Sequence, residues 1–205
     1  MKILLVGAGG VGSAFAGIAV RRSFVEAIVV GDIDAARASA AASVFGERGR
    51  GVALDASDAA AVEALWRDER CDVLMNAADP RFVMPLFDAA LAAGCHYVDM
   101  AMSLPKPHPE RPYAETGVKL GDEQFAKAGE WEEAEKLALV GMGVEPGLSD
   151  VFARYAADNL FSSIHEVGIR DGANLAVAGY DFAPTFSIWT TIEECLNPPV
   201  VWERD

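Results

Sequence analysis

An α/β fold built on a doubly wound parallel sheet is predicted by three observations. Apolar strand-like runs alternate with helix-like stretches through roughly the first 140 residues, as in a sheet covered on both faces. The first run, Ile3 to Val6, ends on Gly7-Ala-Gly9-Gly10-Val11-Gly12, and a helix-like stretch from Ser13 to Arg22 follows. A second run, Ala27 to Val30, leads to Asp32, twenty positions beyond Gly12. Each part has a task in holding a dinucleotide. Gly7 permits the tight turn out of the strand. Gly9 removes a side chain that would keep the backbone off a pyrophosphate, and Gly12 lets the helix lie close to the strand. The pyrophosphate would rest on the helix N-terminus, against free N–H groups and the positive end of the dipole. This is a Rossmann arrangement. Gly7, Gly9, Gly10, Val11 and Gly12 are the expected pyrophosphate contacts, and Asp32, followed by Ile33, the ribose contact.

The remaining elements follow in order. Asp34 can cap a helix running to Phe45, with Gly46 as its terminator. A third strand spans Gly51 to Leu54, and Ser57 can cap the next helix. The fourth strand is Asp72 to Asn76. Asp79-Pro80 then opens a helix that stops at Gly94, its start blurred by Pro85. The fifth strand is His96 to Asp99. Pro105, Pro107, Pro109 and Pro112 exclude regular structure from Met102 to Gly117, a loop long enough to suggest function. A helix from Asp122 to Lys136 leads into a sixth strand, Ala138 to Met142. Glu145-Pro146-Gly147 makes a turn, and Leu148 to Leu160 reads as a helix. Beyond it, Ile164 to Arg170 and Leu175 to Tyr180 have strand character. Thr190 to Cys195 reads as a short helix ended by Asn197-Pro198-Pro199. The expected division is a dinucleotide domain at 1–143 and the incomplete beginning of a substrate and dimerisation domain at 144–205.

Bulk composition narrows the partners. A formal charge of −14 argues against nucleic acid and anionic membranes, which need clustered Lys and Arg. With 52% hydrophobic residues the chain can bury a substantial core. Cys71, Cys95 and Cys195 have neither disulfide-framework nor zinc spacing, so reduced thiols and no metal are expected. The first apolar run is short and closes on the glycine turn, unlike a secretory signal, so a cytoplasmic location is expected. Exposed apolar residues such as Phe182, Phe186, Ile188 and Trp189 lead to an expectation of self-association.

In a doubly wound sheet, ligands bind outside the carboxyl ends of the strands. Asp55, with Ala56, follows strand three and is either an adenine contact or a turn-making aspartate. Asn76, Ala77 and Ala78 close strand four, where small side chains let the nicotinamide end approach the backbone. Asp99 ends strand five, and Glu145 lies on the turn after strand six. Each is a candidate catalytic carboxylate on the substrate side or a capping and turn residue. His96 falls on the opposite strand face from Asp99 and reads as a core histidine. Lys106, His108, Arg111 and Lys119 surround the proline-rich loop, either holding substrate carboxylates or simply solvated.

Gly7-Ala-Gly-Gly-Val-Gly12, Asp32-Ile-Asp34, Leu54-Asp-Ala-Ser57, His96-Tyr-Val-Asp99 and Gly141-Met-Gly-Val-Glu-Pro-Gly-Leu-Ser-Asp150 together resemble the saccharopine dehydrogenase-like family. That group includes saccharopine reductases, lysine 6-dehydrogenases and carboxynorspermidine dehydrogenases. The resemblance extends through Thr190-Thr-Ile-Glu-Glu-Cys-Leu-Asn-Pro-Pro199. It implies a Rossmann domain followed by an α/β substrate domain whose open sheet often mediates dimerisation. It also implies reversible oxidation of a carbon–nitrogen bond in an amino acid or polyamine derivative, with hydride passing to a nicotinamide. Family members are considerably longer than 205 residues, which leaves a second reading open. In that reading the chain is a non-catalytic dinucleotide module, a redox sensor or one part of a split enzyme. The cofactor expected is NAD over NADP, because Asp32 places a carboxylate where a 2′-phosphate would sit. Arg37 is the one cation that could reverse this.

Overall fold

Burial is nearly complete along the two strands that flank the glycine turn. In β1 (Lys2–Val6) and β2 (Ala27–Asp32), Leu4, Leu5, Val6, Ile28, Val29 and Val30 are all buried, as central parallel strands require. With β3 (Gly49–Ala53), β4 (Val73–Asn76), β5 (His96–Asp99) and β6 (Ala138–Leu139) they form one parallel sheet in the order β3-β2-β1-β4-β5-β6. The register lines up the functional ends. Val6 is level with Gly31 and Asn76, Asn76 with Asp99, and Asp32 with Ala53. The chain reverses its winding direction between β1 and β4, directly beneath the glycine turn. This computed structural model describes residues 1–170 and 176–181, and positions 188, 192, 195 and 196 singly.

Two apolar layers cover the sheet. Helices α1 (Gly10–Ala19) and α2 (Ala35–Ala42) close one face over Ile3, Leu5, Ile28 and Val30. Helices α3 (Ala59–Glu69) and α4 (Val83–Ala93) close the other over Leu4, Val6, Val29 and Leu74. On that second face Phe87 meets Tyr97 edge-on, with ring centroids 5.1 Å apart, and lies 4.9 Å from the ring of Trp131. On the α1 side, beyond the helices, Val73, Met75, Val98, Met100 and Leu139 line an open apolar trough of about 840 Å³.

The departures from the sequence expectation have local causes. Helix α1 starts at Gly10 with Gly9 as its N-cap, so the glycines themselves enter the first turn. Helix α2 ends at Ala42 and passes into a 3-10 stretch, Ser43–Arg48, broken at Gly46. Asp58, not Ser57, caps α3 by accepting from the Ala61 N–H at 3.0 Å, because Ser57 is held by Asp55. Asp79 caps a short 3-10 turn, Pro80–Phe82, and Pro85 fits within the first turn of α4, where its missing N–H costs nothing. The helix expected at 122–136 is two pieces, α5 (Asp122–Phe125) and α6 (Ala128–Glu133), and Glu135 leaves it at φ 54.

Strand β6 holds only Ala138 and Leu139, because the Gly141 N–H turns away to the Asp99 carboxylate. Helix α7 (Leu148–Asn159) lies where a helix was expected. Ile164 to Arg170, expected as a strand, is irregular, and Val177 and Tyr180 form an isolated bridge. Leu175, Phe182, Phe186, Trp189, most of the Thr190 to Cys195 stretch and Asn197-Pro198-Pro199 lie outside the described residues. The chain divides into two compact units, one at 1–105 with 120–148 and the other at 106–119 with 149–205. The whole sheet belongs to the first unit.

Candidate functional site

The glycine turn is shaped by close backbone approach. Gly7 adopts φ +99 and donates its N–H to the Gly31 carbonyl at 2.8 Å. A Cβ on Gly7 would lie 2.6 Å from the Ala77 carbonyl oxygen, and one on Gly12 would lie 1.9 Å from that of Gly7. No side chain fits at either position. A Cβ on Gly9 or Gly10 meets nothing within 4 Å, so this side of the turn is open. Helix α1 starts there without a side-chain cap, and its first hydrogen bond runs from Ser13 N–H to Gly9 carbonyl at 2.9 Å. The N–H groups of Gly10, Val11 and Gly12 precede that first bond and have no intrahelical acceptor. An open backbone, free donors and the positive helix end fit a pyrophosphate.

Asp32 stands at the end of β2, beside this turn. Its Oδ2 accepts from the Ala8 N–H at 2.7 Å and its Oδ1 from the Asp34 N–H at 2.9 Å. The carboxylate is thereby held in one orientation by two backbone N–H groups, one on each oxygen. Asp34 caps α2 through the Ala36 N–H at 2.8 Å and lies 3.6 Å from the exposed Arg37 guanidinium. Ile33 is 79% exposed. Asp55 closes a turn on Ser57, and the hydroxyl and N–H of Ser57 hold its carboxyl below the usual range. Ala56 packs against the core.

At the end of β4 the Asn76 side chain points inward and is buried. Its amide donates to the Tyr97 hydroxyl at 3.0 Å and its carbonyl accepts from the Ala78 N–H at 3.0 Å. The backbone of Ala77 and Ala78, with the Ala77 methyl, therefore borders the glycine turn. Asp99, expected to open onto the substrate side, is fully buried. It accepts from Gln124 Nε2 at 2.7 Å, Gly141 N–H at 2.8 Å and Met102 N–H at 3.3 Å, and the buried Tyr97 shares its strand face. Three donors and full burial hold the carboxylate inside, so direct contact with substrate has no place in this geometry.

Glu145 is exposed on the turn outside the ends of β5 and β6. That turn closes through Gly143 N–H to Pro146 carbonyl and Leu148 N–H to Gly143 carbonyl, each at 3.0 Å. His96 is exposed instead of buried, and its Nδ1 accepts from the Leu137 N–H at 3.0 Å. In the second unit His108 lies 3.0 Å from Glu115, and Arg111 pairs with the same carboxylate. Lys106 pairs its backbone with Val118, and Lys119 has an interaction partner as well. Burial pushes the Cys71 thiol up to about 12 and that of Cys95 to about 11, so both are inert apolar filling. Among the described residues no group of three or more His, Cys, Asp or Glu could hold a metal ion, and no helix is long and apolar enough to cross a membrane.

Two buried residues escaped the sequence reading, Tyr97 and Gln124. For Tyr97 a signal existed, since residues two apart on a strand share a face and Tyr97 precedes Asp99 by two. Gln124 gave none, lying in a polar stretch with no apolar periodicity of its own.

Residues 3–139 match the family described as the saccharopine dehydrogenase NADP binding domain. The chain is 32% identical to carboxyaminopropylagmatine dehydrogenase of Synechocystis sp., over 94% of its own length and 46% of that protein. It is 27% identical to carboxynorspermidine synthase of Vibrio cholerae, over 99% of its own length and 50% of that protein. It thus spans about half of these curated relatives. Among solved structures, saccharopine dehydrogenase (L-Glu forming) of Saccharomyces cerevisiae superposes with a TM-score of 0.60 at 18% identity. That match covers 78% of this chain and 31% of that one. UDP-N-acetylglucosamine 3-dehydrogenase of Acidithiobacillus ferrooxidans gives a TM-score of 0.52 at 19% identity, over 76% and 43% of the two chains. These two show the shared fold. With the family match covering the whole sheet, the chain belongs to the saccharopine dehydrogenase family through its NAD(P)-binding domain.

Proposed function

We propose that the protein is an NAD-dependent oxidoreductase that makes or breaks a carbon–nitrogen bond in an amino acid or polyamine derivative. The observation that carries this reading is the open glycine turn with Asp32 held beside it, at the reversal of a sheet from the saccharopine dehydrogenase family. The relatives' names add the substrate class, since both refer to polyamine-like molecules. When bound, a nicotinamide dinucleotide would supply a hydride acceptor for the carbon that bears the nitrogen. The turn and the α1 N-terminus hold the pyrophosphate, and Asp32 the adenine ribose. Glu145 takes up the proton lost from the substrate nitrogen as the C=N bond forms. Water then adds to that carbon, and the C–N bond breaks to leave a carbonyl and an amine. Cytoplasmic, homodimeric operation completes the proposal, supported by the free, unbridged cysteines Cys71, Cys95 and Cys195 and by the exposed trough beside β4 and β5. A monodisperse monomer in light scattering at micromolar concentration would remove the dimer from it.

The activity is tested by screening amino acids and polyamines for NADH absorbance change, and an absence of turnover with every amine would overturn it. Cofactor choice is sharper. A 2′-phosphate would bring its charge against Asp32, whose two backbone hydrogen bonds prevent it from swinging away. Arg37 already faces Asp34. NAD is expected to bind at least about tenfold more tightly than NADP, or about 1.4 kcal/mol. Titration calorimetry with both cofactors checks this, and tighter NADP binding would reverse the assignment.

A further inference from the structure

The buried polar residues of the first unit are Asn76, Asp99, Ser103 and Gln124; with Tyr97 they form one chain, which Ser103 joins through its backbone N–H while its buried hydroxyl has no partner. Its polarity is fixed from end to end. Tyr97 and Asp99 are both buried, two apart on one face of β5, and the Tyr97 hydroxyl, which accepts from the Asn76 amide at 3.0 Å, keeps its own O–H to direct at the Asp99 carboxylate. The Asn76 carbonyl is thereby turned to the Ala78 N–H, at 3.0 Å. On the other side Gln124 donates to Asp99 at 2.7 Å and accepts from the Ser103 N–H at 2.8 Å. Met102, held by Asp99 at φ 63, sits in a left-handed conformation that a non-glycine residue adopts only under constraint.

The ends of this chain matter. One is Ala78, whose neighbour Ala77 presses its carbonyl against Gly7 in the glycine turn. The other comprises Ser103 and Gly141, at the base of the segments that follow β5 and β6. A merely cohesive core at this place would be filled more cheaply by apolar side chains, since every buried polar group has to be satisfied. We infer that Tyr97, Asp99 and Gln124 are positioning residues, which act through Asn76 to fix Ala77 and Ala78 where the nicotinamide half of the dinucleotide lies. This rests on the dinucleotide reading proposed above and adds to it the residues that orient the reactive end.

The test separates the two halves of the ligand. ADP-ribose carries the adenosine and pyrophosphate but no nicotinamide. Tyr97→Phe deletes one hydroxyl and keeps the ring packed on Phe87. Gln124→Met keeps the volume and deletes both hydrogen bonds. Each variant is expected to bind NADH about three- to tenfold more weakly than the parent while its ADP-ribose affinity stays unchanged. Calorimetry on the 205-residue chain reads both, with circular dichroism confirming the fold of each variant. Should one variant not fold, the other decides. Equal weakening of both ligands would reduce the network to general stability, and no weakening of either would dismiss it; both results overturn the inference. A parent chain that binds neither ligand would instead overturn the dinucleotide reading, and this inference with it.

Discussion

Gly12→Ala is expected to abolish dinucleotide binding, raising Kd by about a hundredfold or more, over 2.7 kcal/mol. The added Cβ would fall 1.9 Å from the Gly7 carbonyl oxygen, which is backbone and cannot rotate aside. Relief requires α1 to move off β1, carrying away the free N–H groups of its first turn. Gly17→Ala is the matched control within the same helix, because its Cβ meets nothing within 4 Å. It should leave NADH affinity unchanged and favour the helix slightly. Calorimetric titration of both variants with NADH checks the pair. Tight binding by Gly12→Ala would show that the turn is not the pyrophosphate seat.

The second large effect concerns Glu145. Glu145→Gln keeps the shape of the side chain but cannot take a proton, and the residue is exposed, so the turn itself should be undisturbed. With an amine substrate in hand, kcat and kcat/KM should fall together by about a hundredfold or more, while NADH affinity stays constant. A higher KM with unchanged kcat would make Glu145 a binding residue. Unchanged kinetics would make it part of the turn and nothing else.

The glycine turn, the place of Asp32 at the end of β2 and the positions of the first five strands along the chain were legible, because each depends on local features: apolar runs, capping residues, and glycines spaced for close approach. The fifth strand was read at its observed bounds, since Gly94 marks the helix end before it. Illegible features depended on contacts across the chain. Asp99 looked like an open strand-end carboxylate, but Gln124, twenty-five residues later, folds back to cover it. The same carboxylate draws off the Gly141 N–H and ends β6 after two residues, where apolar character alone extended it to Met142. His96 was read as a core histidine because strand alternation puts it on the face opposite Asp99. It is exposed because the sheet face it occupies opens onto the trough.

The central claim is that the N-terminus of α1 and the glycine turn hold a dinucleotide. An NMR titration of the 15N-labelled chain with NADH tests it residue by residue. The account predicts saturable shifts that are largest at the amides of Gly10, Val11 and Gly12, with further shifts at Asp32 and Ala78. Shifts that are absent, or that cluster on residues away from the turn, would contradict it.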